Sequence, residues 1–220
     1  MKICNEPLRT RLRSLLISAV VMASSAHGAY LIDEEFTGPA GNPPNPAVWD
    51  VTGGSPQLTG TANGELNLFG NGGFRSDNVF TNEHLRFVVT SYSHQNGFYG
   101  YWNGASQWIL VRSDSSTVQV SDGVTTTNSA SILPFPGNYI ADIFWQPNQV
   151  RVLIDNVEKF NLTTGIPTAG MNVWFERYSS PGPSSNFQLG SVNVGIPEPT
   201  SAVLLLIGAS IFIRRRRSRR

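Results

Sequence analysis

Residues 29–194 predict an all-β domain, two antiparallel sheets stacked as a sandwich, on three observations. Apolar residues alternate in short runs instead of recurring at helical spacing, turn residues separate those runs, and no window of twelve residues looks like an amphipathic helix. Leu85, Phe87 and Val89 share one face of a strand, and Tyr139, Ala141, Ile143 and Trp145 share one face of another. Val150, Val152 and Ile154 mark a third strand, and Met171, Val173 and Phe175 a fourth. Between them stand turn signals at Asn71-Gly72-Gly73, Asp122-Gly123, Gln146-Pro147-Asn148-Gln149, Asp155-Asn156 and the proline-containing stretch 179–185. No internal repeat is visible, which disfavours a propeller or solenoid. With one face of each strand apolar, stacking two sheets is the way to bury all of those faces.

Composition fits one domain with two appendages. Of 220 residues, 40% are hydrophobic, 14% charged, 21 are Gly and 14 are Pro. That is too long for a disulfide miniprotein and too aromatic for a disordered tail. The formal charge of +1 hides an uneven distribution, because ten of the 16 basic residues lie at the chain ends. Between Ala29 and Val194, six basic residues face 13 acids, a net charge of −7. Such a module lacks the basic track that a phosphate backbone requires, so nucleic acid is not expected as a partner.

Residues 1–28 read as a secretory signal peptide. Lys2, Arg9, Arg11 and Arg13 precede the apolar run Ser14–Ala23 and the small residues Ser24-Ser25-Ala26, with cleavage expected after Ala26 or Gly28. The only cysteine, Cys4, lies in this segment, so the mature domain must rely on packing where export would permit disulfides. At the other end, Pro197-Glu198-Pro199 precedes the apolar stretch Thr200–Ile213, then Arg214, Arg215, Arg216, Arg217, Arg219 and Arg220. Fourteen helical residues rise only about 21 Å, against a hydrocarbon core of about 30 Å. The abrupt arginine block nevertheless marks a cytoplasmic flank, and snorkelling basic side chains lengthen a short transmembrane helix.

Pro-Glu-Pro, a short apolar helix and a terminal arginine cluster, in that order over residues 195–220, resemble the PEP-CTERM sorting signal of Gram-negative bacteria. The resemblance implies export across the inner membrane, recognition of Pro197, Glu198 and Pro199 by an exosortase, and transfer to the cell surface or an extracellular polysaccharide matrix. It supplies an address and leaves the activity open.

A second resemblance covers most of the middle. The stretch Asn138–Val157 has a strand ending in Trp145, a turn with Pro147, a strand ending at Asp155 and a return strand. It is similar to the hairpin pair of concanavalin A-like jelly rolls, notably family 16 glycoside hydrolases and laminin-G-like domains. Asp33–Gly38 with Val48–Val51 resembles the opening strands of those glucanases, and Ile166-Pro167, Met171–Phe175 and Phe187–Val192 resemble the closing ones.

The family's catalytic pattern is absent. Retaining glycosidases need two carboxyl groups about 5–5.5 Å apart, and in family 16 these stand on one strand as Glu-x-Asp-x-Glu or a one-residue expansion, since alternate strand residues share a face. None of the glutamates at 6, 34, 35, 65, 83, 158, 176 and 198 has an aspartate two residues later. The only acids two apart are Asp33 and Glu35, in the opening strand. A pair distant in sequence, such as Glu83 and Glu176, is the remaining route to a hydrolase. Gly-x-Ser-x-Gly, His-Glu-x-x-His, a phosphate-binding glycine loop and Cys-x-x-Cys are all missing. His84 and His94 read as surface or hairpin residues, and no cofactor is expected beyond a structural calcium near Asp33, Glu35 and Asp155.

The segment Phe98–Trp108 is the most informative chemically. Sugar rings present flat C–H faces and many hydroxyls, which suit aromatic rings flanked by amides. Tyr99, Tyr101, Trp102, Asn103 and Trp108 are therefore the carbohydrate-binding candidates, and the jelly-roll resemblance places them on a strand pair near the concave face. Packing competes with binding at Trp102 and Trp108, because alternation puts one of each neighbouring pair inside. Trp49, Trp145 and Trp174 are core-like by pattern. The expectation is a non-catalytic protein that binds or organises extracellular polysaccharide; a purely structural matrix protein and a divergent glycosidase are the alternatives.

Overall fold

The computed structural model describes residues 30–68, 72–92, 97–132, 137–177 and 187–195. The strands run β1 (Ile32–Glu34), β2 (Trp49–Val51), β3 (Gln57–Leu58), β4 (Leu66–Asn67), β5 (Gly72–Phe80), β6 (His84–Tyr92), β7 (Gly97–Trp102) and β8 (Gln107–Arg112). They continue as β9 (Thr117–Asp122), β10 (Thr126–Asn128), β11 (Gly137–Gln146), β12 (Gln149–Ile154), β13 (Val157–Leu162), β14 (Met171–Arg177) and β15 (Phe187–Val194). An eight-stranded sheet has the order β13-β12-β11-β6-β15-β4-β3, with β1 also paired to β15, and a seven-stranded sheet has the order β10-β9-β8-β7-β14-β5-β2. Neighbours pair antiparallel, as in the long β6–β11 and β7–β14 ladders.

The alternating sets predicted from sequence all face the core. Leu85, Phe87 and Val89 of β6, Tyr139, Ala141, Ile143 and Trp145 of β11, Val150, Val152 and Ile154 of β12, and Met171, Val173 and Phe175 of β14 are buried together. Aromatic contacts join the sheets: Phe87 meets Phe175 edge-on at 5.4 Å, Tyr99 stacks on Phe187 at 4.0 Å, and Tyr101 lies 5.3 Å from Trp145. Trp145 also donates its indole N–H to the Pro167 carbonyl at 3.1 Å, which ties the loop before β14 to the core.

Local chemistry explains the corners. Asp155 and Asn156 have φ of 52° and 64°, the left-handed pair that a two-residue hairpin between β12 and β13 requires. Phe36 is a buried non-glycine residue with φ 49°. The Glu34 carboxylate holds it there, accepting the Phe36 N–H at 3.0 Å and the Trp49 indole N–H at 3.2 Å. Phe36 thereby reaches the Trp49 and Phe74 rings. One expected turn is corrected. Gly72 and Gly73 begin β5, and a Cβ on either would lie about 2 Å from backbone atoms of Gly53 or Phe175. These glycines permit close approach of neighbouring backbone.

Residues 1–29 and 196–220, which hold the expected signal peptide, Pro197, Glu198, Pro199 and the arginine cluster, lie outside the described residues, as do His94 and residues 179–185. Among the described residues no helix is long and apolar enough to cross a membrane.

Candidate functional site

Strand β7 divides the aromatic segment between two environments. Tyr99 and Tyr101 point into the core, each no more than 1% exposed, and this overturns both as ligand-contacting candidates. The Tyr99 hydroxyl lies 3.3 Å from Ser113 Oγ, and the Tyr101 hydroxyl donates to the Glu83 carbonyl at 3.3 Å. Burial, reinforced by the Glu83 charge, pushes the Tyr101 phenol well above its usual pKa. Asn103 serves the β7–β8 turn: its side-chain oxygen accepts the N–H of Ala105 at 2.9 Å and of Gln107 at 3.1 Å. Its geometry is that of a turn-stabilising amide.

The outer face of the seven-stranded sheet keeps the other candidates. Phe98, Gly100 and Trp102 alternate outward on β7. Trp108 on β8 and Asn172 on β14 stand directly opposite Trp102, and Trp174 stands opposite Gly100 on one side and Arg75 on the other. Trp102 and Trp108 are half-buried. Trp174, expected in the core, is buried on this outer face instead. Trp174 and Leu110 form an apolar layer separate from the central core.

The outward rings of β7 converge across Gly100. Residues four apart on a strand are separated by about 13 Å, yet the Phe98 and Trp102 rings meet edge-on at 5.3 Å. Both therefore lean over Gly100, which has φ +146° and whose Cβ would approach the Ile109 carbonyl oxygen to 2.2 Å. Trp174 closes the group, its ring 4.7 Å from that of Trp102 at an interplanar angle of 58°.

Charges at the rim are internally paired. Arg75 donates to Asp50 through Nη2 at 2.9 Å and Nε at 3.1 Å, with its guanidinium carbon 5.4 Å from the Trp174 ring centre. Arg112 pairs with Asp114 and donates to Gln119 at 3.2 Å. Trp174 donates its indole N–H to Glu176 at 2.8 Å. Asn172 donates to the carbonyls of Ser76 and Asn78. The indole nitrogens of Trp102 and Trp108 are shut off from solvent and have no acceptor among the described residues.

No described strand carries two acids at alternate positions. Glu176 stands on the outer face opposite Phe98, at one end of β7, whereas Glu83 lies beside the inward Tyr101 at the other end, so the fold does not bring this pair together. His84 occupies the other sheet, where its Nε2 is 2.9 Å from Asp142 Oδ1 and its ring stacks on Phe144 at 4.0 Å. Asp33 accepts a hydrogen bond from Asn193, and Asp155 accepts the Ile140 N–H. Among the described residues no group of three or more His, Cys, Asp or Glu side chains is placed to hold a metal ion.

Sequence comparison finds no matching family model and no matching curated protein. Solved structures do match in shape. A family 16 glycosyl hydrolase from Mycobacterium smegmatis is 15% identical, with a TM-score of 0.56 over 76% of this chain and 100% of that one. The β-glucanase of Bacillus licheniformis is 16% identical, with a TM-score of 0.54 over 76% and 98%. An immunostimulatory antigen and pseudo β-1,3-glucanase of Mycobacterium tuberculosis is 13% identical, with a TM-score of 0.59 over 78% and 100%. At these identities the likeness is one of fold: the chain folds as a two-sheet, concanavalin A-like jelly-roll sandwich, as those proteins do.

Proposed function

We propose that this chain is an exported, exosortase-sorted surface or matrix protein whose sandwich binds or organises extracellular polysaccharide without cleaving it. The observation that carries this reading is the outward side of β7, where alternate positions hold Phe98, Gly100 and Trp102. A Glu-x-Asp-x-Glu strand uses that same spacing to set two carboxyls about 5–5.5 Å apart. Aromatic rings with amides and paired charges around them suit a sugar's C–H faces and hydroxyls, and no described strand here sets two acids at alternate positions. Jelly rolls of this kind include proteins described as a β-glucanase and as a pseudo β-1,3-glucanase, so the fold is compatible with polysaccharide recognition and does not dictate hydrolysis.

The test is co-sedimentation of the full chain with insoluble polysaccharides, with reducing-sugar release measured in the same tubes. Retention without release is the expected result. Release of reducing ends would replace this reading with an enzyme, and absence of retention across β-glucans, galactans and acidic polymers would leave a structural matrix protein. Sorting has a separate test. Deleting residues 214–220, or changing Pro197 and Pro199 to Ala, is expected to strand the protein in the inner membrane or release it into the wrong fraction, and unchanged fractionation would contradict the address.

A further inference from the structure

The five tryptophans fall into two groups by what their indole N–H groups do. Trp49 donates to Glu34, Trp145 to the Pro167 carbonyl and Trp174 to Glu176. Trp102 and Trp108 donate to nothing among the described residues, although both nitrogens are buried. These two residues are cross-strand partners on the outer face of the seven-stranded sheet. A buried donor without an acceptor loses its hydration and gains nothing in exchange. Two such donors side by side leave the aromatic cover over Gly100 less stable than the same rings with acceptors within reach.

We infer that the Trp102–Trp108 pair is a ligand-reading element: its rings turn so that both indole N–H groups donate to oxygen atoms of an uncharged, hydroxyl-rich polymer, a neutral polysaccharide. This rests on the polysaccharide-binding reading above and narrows its ligand. Charge supports the neutral class. On this face Arg75 is paired with Asp50 and Arg112 with Asp114, while Glu176 adds a carboxylate, so an acidic polymer would meet no uncommitted described cation. The domain's net −7 would repel it further at low ionic strength.

The experiment compares the full chain with Trp102→Phe, Trp108→Phe and the double variant, which keep an aromatic ring and remove the N–H together with the pyrrole part of the indole. Each single substitution is expected to weaken binding to neutral glucans or galactans by about 2- to 10-fold, the range of one hydrogen bond, without lowering the melting temperature. In amide and indole NMR spectra, the Trp102 and Trp108 indole signals are expected to move on adding a soluble neutral glycan, while those of Trp49 and Trp145 stay fixed. Unchanged affinity in the double variant, a fall in melting temperature, or fixed Trp102 and Trp108 signals would each overturn the assignment. Tighter binding of alginate or polygalacturonate than of neutral glycans would overturn the neutral class and leave the broader polysaccharide reading standing. Loss of all glycan binding in the unmodified chain would defeat that broader reading as well.

Discussion

The two outer faces of this sandwich solve exposure in opposite ways. On the eight-stranded sheet, polar groups pair along a ladder. Asp142 takes a hydrogen bond from His84 and lies 3.7 Å from Arg86, Phe144 is covered by the His84 ring and the Arg151 guanidinium, and Glu158 pairs with Arg151 and Asn161. On the seven-stranded sheet, rings gather over a glycine, and two indole donors have no described acceptor. The first face pairs its charges with one another, and its buried atoms without a described partner, on Asn67, His84 and Thr90, are scattered singly. The second carries unfulfilled hydrogen-bonding capacity beside apolar surface, which is the combination a polyol ligand uses.

The largest expected effect separates neighbours on one strand. Tyr101→Ala removes a side chain buried between the sheets and is expected to cost about 4 kcal/mol. Trp102→Ala, one residue away on the other face, is expected to cost about 1–2 kcal/mol and to abolish polysaccharide retention. Urea titrations of both variants check this, and equal destabilisation would erase the distinction between the two faces of β7. On the opposite sheet, Asp142→Ala leaves His84 and Arg86 without their shared carboxylate. It is expected to cost about 3 kcal/mol with glycan retention per folded molecule unchanged.

Smaller effects follow from titration. The Tyr101 phenol is raised in the folded state, so the stability it represents is complete below the unfolded value of about pH 10 and is lost as pH rises toward the folded value. Tyr101→Phe is expected to flatten that alkaline loss. The smallest effect belongs to the exposed β9–β10 turn, where the N–H groups of Thr125 and Val124 hold the Asp122 carboxyl below its usual value. Arg151, with Asn161, does the same for Glu158 on the other sheet. Both contributions are present above the unfolded carboxylate range of about pH 4 and fade as pH falls through the lowered folded values. Asp122→Ala is expected to shift the acid midpoint slightly upward in a circular-dichroism titration.

Much of the fold was legible because period-two alternation with polar partners fixes which residues share a face. Strands β6, β11 and β12 show this, with Leu85, Ala141 and Val152 all fully buried as their patterns require. Alternation sets parity without phase where both faces are apolar. In Phe98-Tyr99-Gly100-Tyr101-Trp102 nothing local says whether the tyrosines or the larger rings turn inward. Pairing with β14 and contact with Phe187 and Trp145 decide it. Val173-Trp174-Phe175 poses the same ambiguity, and Trp174 emerges on the outer face opposite Gly100. Arg75 and Trp174 could join the site only once the strand order was known, because each reaches it by register and not by sequence proximity. The absence of an acid ladder was readable directly, since that pattern is local to one strand.

The account is tested most directly by affinity electrophoresis of the full chain through gels containing neutral polysaccharide, run beside Trp102→Ala and, from the opposite sheet, Arg151→Ala. Retardation of the unmodified chain and of Arg151→Ala, lost in Trp102→Ala, is the predicted result. Equal mobility of all three with and without polysaccharide, or retardation abolished only by Arg151→Ala, would contradict the assignment of binding to the aromatic face.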